Sequence, residues 1–366
     1  MRRLLPLVLT LALLFSATPA IAATPNGMLT ASVYDYTVDA PGPVQSLSTV
    51  NLRLNDSAIS GGMPAVLVGG RTLAPLRLLA EALGVTVEWL PDRAAQVRLT
   101  KDETVIDLTL GAPDAVVNGQ SVPMPDGVPA AIVNYAGQGY TMVPLRFFSE
   151  TLGCRVGWDQ GSFTAFIFSE DYIAPLLAGL DTPADPNRYL IAIDAGHGGS
   201  ATGAAYGGVE EKALTLSMAR KLRDILTALG YNTVMTREED VYIDLYDRAY
   251  LANDLNADLF VSIHCNAAEN NPDFQGLYVY HYPQSTVGAA LAQAIQTTAT
   301  AFTGAVDRGI DHANFVVLRE TDMPAVLVET GFMTCQAELE RLVEDDYQTR
   351  MVQGVARGLI RFLDKR

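Results

Sequence analysis

Beyond about residue 188, short apolar runs alternate with longer stretches in which apolar residues recur every three or four positions. Residues 189–193, 232–236, 259–263, 276–280 and 325–328 read as buried strands. Residues 211–229, 245–255, 287–302 and 345–363 read as amphipathic helices, and in the first of these Leu214, Met218, Leu222 and Leu226 share one face. Strand and helix in alternation predict an α/β unit over 189–366, an open, mostly parallel or mixed sheet flanked by helices.

The first half has a different rhythm, and it repeats. Pro75, Leu76, Arg77, Glu81, Leu83 and Gly84 recur 69 residues later as Pro144, Leu145, Arg146, Glu150, Leu152 and Gly153, and the copies close on Trp89 and Trp158. Each copy predicts a short helix opened by proline and ended by glycine, leading into a tryptophan-bearing strand. Between the copies, 96–99, 104–110 and 115–117 read as strands, with Asn118-Gly119 a tight turn. A smaller α+β domain built twice is expected over 45–170. Residues 171–188, rich in Pro, Asp, Ala and Gly, are expected to be a linker.

Composition agrees with two folded units: 366 residues, 49% apolar and 18% charged. Arg2 and Arg3, the apolar run 4–15 and the small residues ending in Ala20-Ile21-Ala22 have the layout of a secretory signal over 1–22. An uncleaved anchor is the alternative; cleavage leaves no stable membrane span and a secreted, extracellular or wall-associated protein. Losing two arginines takes the net charge from −16 to −18, which repels nucleic acid and leaves binding to local pockets. The three cysteines, Cys154, Cys265 and Cys335, are too few for a disulfide scaffold. A Cys265–Cys335 bridge is the alternative to three free, buried thiols, the reading we favour.

All four histidines lie in the second unit. His197, in a glycine-rich stretch, and His264 each follow a predicted strand, and ligand sites in open α/β sheets gather beyond the carboxyl ends of strands. A catalytic zinc takes three protein ligands and keeps one open position. Glu211, opening a helix after a glycine-rich loop, is the third candidate, with Glu210 its rival by position. Glu329, carried to the end of the apolar run 325–328, is the candidate acid/base, because desolvation there raises a carboxyl toward working pH. His281 and His312 lie off this cluster. Singly, each of these side chains has an ordinary structural role; together they gather at one sheet edge.

Two resemblances follow from these residues. The repeat, over about 51–168, resembles the copper amine oxidase N-terminal-like domain, a repeated module of exported bacterial proteins. Residues 23–188 contain no histidine, so the likeness implies no copper and a noncatalytic module that attaches to the cell wall or another envelope component. Asp194 to Gly199, Glu211-Lys212, Ser262-Ile263-His264 with Asn266, and Pro324 to Phe332 resemble, in order and spacing, the N-acetylmuramoyl-L-alanine amidase type 3 family over about 189–363. That implies Zn2+ on His197, Glu211 and His264, Glu329 as acid/base, and peptidoglycan as substrate, cut between N-acetylmuramic acid and L-alanine. Residues 240–248 and Val317-Leu318-Arg319 also resemble the family. Arg248 reads as structural; Arg319 is either a stem-peptide contact or a solvated arginine. Ala201 and Cys335 depart from the family's usual Asp and Asn. The segment 265–275 is too short for the inhibitory helix some such amidases insert there. The alternatives are a noncatalytic wall-binding protein and a zinc peptidase or deacetylase on the same ligand set.

Overall fold

A computed structural model describes residues 27–55, 57–90 and 96–366; the expected signal over 1–22 lies outside them. Six strands form the carboxy-terminal sheet in the order Asn232–Met235, Leu190–Ala195, Leu259–Asn266, Ala325–Phe332, Leu277–His281 and Asp307–His312. The first four run parallel; Leu277–His281 lies antiparallel to Ala325–Phe332, and Asp307–His312 parallel to Leu277–His281. The sheet is mixed and the unit is α/β.

Because both faces are covered, alternate side chains of one strand enter different cores. Ile191, Ile193, Val261, Ile263, Val326 and Val328 pack beneath helices Glu211–Ala228, Thr286–Thr303 and Asp345–Leu363. Ala192, Phe260, Ala325 and Leu327 point the other way, against Ala252, Val317 and Leu318. Helix Leu245–Asp254, on this second side, buries Arg248, Ala249 and Ala252. His264 and Glu329 lie within paired strands, not after them as the apolar runs suggest, since ladder bonding carries both strands past the last hydrophobic residue.

The repeat is visible as a pseudo-twofold. Strands Arg71–Pro75 and Gln138–Pro144 pair antiparallel with Val143 opposite Ala74, its own counterpart 69 residues earlier. Helices Leu76–Leu83 and Leu145–Thr151 then leave from opposite ends of that pair. The sheet begins earlier than expected, since Met28–Asp35 and Ala40–Leu54 form an antiparallel hairpin within it.

The linker expected over 171–188 needs correction. Helix Glu170–Leu177 occupies the first part of that span; it buries Ile173 and Leu176 and has the Pro175 and Leu176 carbonyls capped by Gln353 Nε2 at 2.9 and 3.2 Å. The two units also share a sheet, which the sequence reading did not address. Strand Arg155–Asp159 pairs parallel with Asn232–Met235 through Trp158↔Asn232 and Asp159↔Thr233, so one sheet runs through both.

That seam contains a titratable group. Asp159 is 1% exposed; it accepts hydrogen bonds from Thr233 Oγ1 at 2.9 Å and from Ser162. Burial, then the charge of Glu238, pushes its carboxyl up to about 6. A raised carboxyl stabilises the fold below its unfolded value and loses that contribution as pH climbs through about 6, up to about 3 kcal/mol. Asp159→Asn is therefore expected to be more stable than wild type at pH 7 and nearly equal at pH 4. Denaturant unfolding at both pH values checks this; a pH-independent difference contradicts it.

Candidate active site

The turn after strand Leu190–Ala195 carries His197 in the left-handed backbone region, φ 60°, an uncommon conformation for a non-glycine residue. Two buried guanidinium groups hold it there. Arg248 donates to the His197 carbonyl at 2.7 Å, the Ala195 carbonyl at 2.8 Å and Asp194 Oδ1 at 2.7 Å. Arg237 donates to the Ala195 and Gly196 carbonyls, each at 2.9 Å. Burial acts to raise the Asp194 carboxyl, but Arg248 and the Ser262 and Thr236 hydroxyls outweigh it and hold the group below its ordinary value. Burial beside Arg248 lowers Arg237 to about 10.

Glu211 opens helix Glu211–Ala228. Its carboxylate accepts from Ala204 N at 2.9 Å and Cys265 N at 3.0 Å. The same two oxygens meet His197 Nε2 at 3.1 Å and His264 Nδ1 at 2.9 Å. Burial would raise this carboxyl, yet the two imidazoles prevail and hold it far below the usual carboxylate range. For His264 the balance runs the other way: burial lowers its proton affinity, and Glu211 with nearby Glu329 and Asp194 more than restores it.

His197, Glu211 and His264 thus offer two imidazole nitrogens and a carboxylate oxygen within 4.8 Å of one another. Neighbouring ligands in a tetrahedral zinc site are ~3.3 Å apart, given bonds of ~2.0–2.1 Å, close to the spacings above. The backbone around them has been cleared. A Cβ on Gly196 would stand 2.3 Å from the His264 ring, and one on Gly203 would stand 2.4 Å from Glu211 Oε2 and 2.7 Å from the His197 ring. The His197 side chain remains 31% exposed, which leaves the cluster open to a substrate. A neutral–anionic N, N, O donor set with an open side fits a catalytic zinc.

Glu329 lies opposite His264 in parallel register. Its Oε2 is buried and has no hydrogen-bond partner, the state in which a carboxyl prefers a proton. Burial pushes it up to about 7; His264 opposes the shift and Glu211 adds to it. Glu210, the rival ligand, falls outside the cluster and pairs with Lys212 at 3.3 Å. Arg319 also stands apart, bonded to Glu320 Oε1 at 2.7 Å and Asn314 Oδ1 at 3.2 Å. His281 and His312 are paired on the two outermost strands.

Ala201 does not disturb the loop, because its backbone forms a two-way bridge with Gly198. Cys265 and Cys335 are free and buried, as is Cys154. Two contributors went unread in the sequence. Arg237 follows a buried strand directly, a place where a guanidinium needs acceptors. Glu338, 2% exposed, receives the Gly276 and Phe332 amides at 3.0 and 2.7 Å and secures the end of the strand that carries Glu329.

Comparison with known proteins gives two family matches: N-acetylmuramoyl-L-alanine amidase over residues 191–361 and copper amine oxidase N-terminal domain over 53–167. The chain is 37% identical over 182 residues to an endolysin of Bacillus phage SPP1, covering 48% of this chain and 66% of that protein. It is 39% identical over 176 residues to the N-acetylmuramoyl-L-alanine amidase CwlM of Bacillus licheniformis, covering 47% and 67%. Among solved structures, an N-acetylmuramoyl-L-alanine amidase of Clostridium difficile 630 matches at 38% identity with a TM-score of 0.48, covering 49% of this chain and 99% of that one. The chain spans about two thirds of the length of these curated relatives.

Proposed function

Because this chain belongs to the N-acetylmuramoyl-L-alanine amidase family, we propose that it is an exported peptidoglycan hydrolase that cuts the amide between N-acetylmuramic acid and the L-alanine of the stem peptide. The observation that carries this reading is the open His197, Glu211, His264 cluster with a proton-hungry carboxyl, Glu329, in register beside it. We assign Zn2+ to the three clustered side chains and general acid/base work to Glu329.

When bound, zinc supplies Lewis acidity, which polarises a carbonyl and makes water more acidic. The chain's own residues do the rest. Glu211 places two oxygens between two imidazoles, and its backbone partners fix its direction. Arg248 and Arg237 hold the carbonyls of the His197 turn, so the imidazole is set before a substrate arrives. Glu329, its carboxyl raised by burial, takes the proton of the attacking water and delivers it to the departing alanine nitrogen. The amino-terminal unit, lacking histidine throughout 23–188, attaches to the wall or another envelope component in this reading. Among the described residues no helix is long and apolar enough to cross a membrane.

Purified sacculi digested by the full chain should yield new L-alanine amino termini, with none released after chelation and recovery when zinc is restored. Mass spectrometry of the ends decides the matter. New termini inside the stem peptide, or acetate release, would make it a peptidase or deacetylase; no cleavage and no zinc uptake would leave a wall-binding protein.

A further inference from the structure

The two copies of the repeat differ in what lies beside their tryptophan strands. Strand Thr86–Leu90 is the counterpart of Arg155–Asp159, residue for residue at the offset of 69. Each pairs antiparallel with the strand that follows it, Val87 opposite Leu99 and Val156 opposite Ile167. The second copy has a further neighbour, since its other side takes Asn232–Met235 in parallel at Trp158 and Asp159. Thr86–Leu90 ends its five-stranded sheet, and among the described residues nothing pairs with its outer side.

The first copy is left unfinished at that edge. Directly opposed residues share a face, so Val87 and Trp89 lie on the same face as Leu99 and Val97, which belong to the core. Yet Val87 is 44% and Trp89 53% exposed, whereas Val156 is 8% exposed and Trp158 half-buried. Inward-facing apolar side chains on an open edge invite another strand. The opposite face says what else can come with it. In the second copy that face carries Gly157 and Phe166 against Thr227 and Arg223 of helix Glu211–Ala228. In the first it carries Glu88 and the Arg98–Asp107 ion pair, 2.7 Å long. A charged face of this kind offers no seat for a helix, so the edge fits a strand alone.

Beside Trp89 opens a cavity of about 600 Å³, with Tyr34, Tyr36, Leu110 and Ile132 among its walls. Its walls are set in advance. Tyr36 packs on Gly111, where a Cβ would stand 2.3 Å from the ring, and its hydroxyl accepts from Ile132 N at 3.2 Å. The Tyr34 hydroxyl donates to Asp39 at 2.9 Å. An edge backbone with a fixed pocket next to it is the arrangement by which sheets take up an extended peptide: the ladder gives affinity and the pocket selects a side chain.

We propose that the outer edge of Thr86–Leu90 is the docking site for one extended strand of a partner protein, which joins the sheet in parallel and sets an apolar side chain in the tyrosine-lined cavity. The chain supplies its own precedent, because the equivalent edge of the second copy is covered by a polypeptide strand. A second copy of the chain fits less well. Two-fold pairing of this edge with itself would be antiparallel, and it would join two chains that each have a net charge of −16. The same charge, with Asp39 at the cavity, selects against an acidic strand. The inference rests on the attachment role proposed for the amino-terminal unit and names a protein strand as what is gripped.

The probe is an acetylated and amidated peptide of residues 231–237, the strand that the equivalent edge takes. Titrated into the full chain, it should slow amide hydrogen exchange within Thr86–Leu90. Pro91 stands where Gln160 donates to the Thr233 carbonyl, so the new ladder ends at Leu90. Trp89→Lys, at an exposed position, should weaken binding about tenfold or more, whereas Glu88→Gln, on the other face, should hold it within about twofold. A peptide carrying Val234→Pro should bind at least about tenfold more weakly. Equal binding of the proline peptide overturns the proposal, as does protection elsewhere in the chain or no binding up to about 1 mM. Dimerisation that protects the same strand would give the edge to a second copy, and protection by chitohexaose in place of the peptide would give it to glycan; either overturns the proposal. Release of alanine termini by Trp89→Lys should match wild type, so the amidase reading is judged separately. Sacculus binding by a chain that ignores the peptide would keep the attachment role and sink the strand.

Discussion

With Glu329 replaced by glutamine, turnover should fall by roughly 10²–10⁴-fold while the chain folds and takes up zinc as before. Glutamine keeps the size of the side chain and removes its capacity to accept a proton. The position tolerates a neutral group, since the native carboxyl is pushed up to about 7 by burial and its Oε2 has no partner to lose. Stability should therefore hold or rise slightly. Single-turnover rates on sacculi, with metal content measured on the same sample, test this. A variant with zinc bound and more than about a tenth of wild-type turnover would remove Glu329 from the mechanism.

Arg248→Met is expected to be the most damaging substitution away from the proposed ligands. Asp194, 1% exposed, would lose its buried partner, at a cost of about 3–5 kcal/mol. The sign of the pH dependence should invert as well. In the native chain Asp194 sits below its ordinary value, so its contribution is present above the unfolded carboxyl range and fades as pH falls through the folded value. Without Arg248, burial acts with less opposition, and the folded state should become relatively less stable as pH rises. Adding Asp194→Asn should recover much of the stability. It cannot replace the donor to the His197 carbonyl, so zinc affinity should stay weakened in the stabilised double variant. Full recovery of affinity with the double change would mean that Arg248 serves the fold alone.

That His197, Glu211 and His264 gather at one place was legible because the signals lie at strand and loop ends. His197 among glycines, Glu211 at a helix start, and His264 and Glu329 after apolar runs are local signals, and the parallel register that joins them follows from α/β layering. What was illegible depends on partners distant in the chain. Helix Glu170–Leu177 contains Pro175 and acidic residues, and its capping by Gln353 comes from 178 residues away. Strand Asp307–His312 is polar and largely exposed because it is the outermost strand, so no alternation betrays it. The two tryptophans of the repeat show the same limit. Trp89 is left 53% exposed on an outer strand, whereas Trp158 lies on the strand that pairs with Asn232–Met235. Equivalent text has met different neighbours.

The short ladder from Trp158 and Asp159 to Asn232 and Thr233 has a mechanical meaning. Two bodies on a floppy tether let the cutting end roam a sphere whose radius grows with the string; a shared β-ladder makes them one stiff lever. On the proposed reading, in which the amino-terminal unit attaches to the envelope, this ladder would hold the candidate site at a set distance and in a set direction from that attachment.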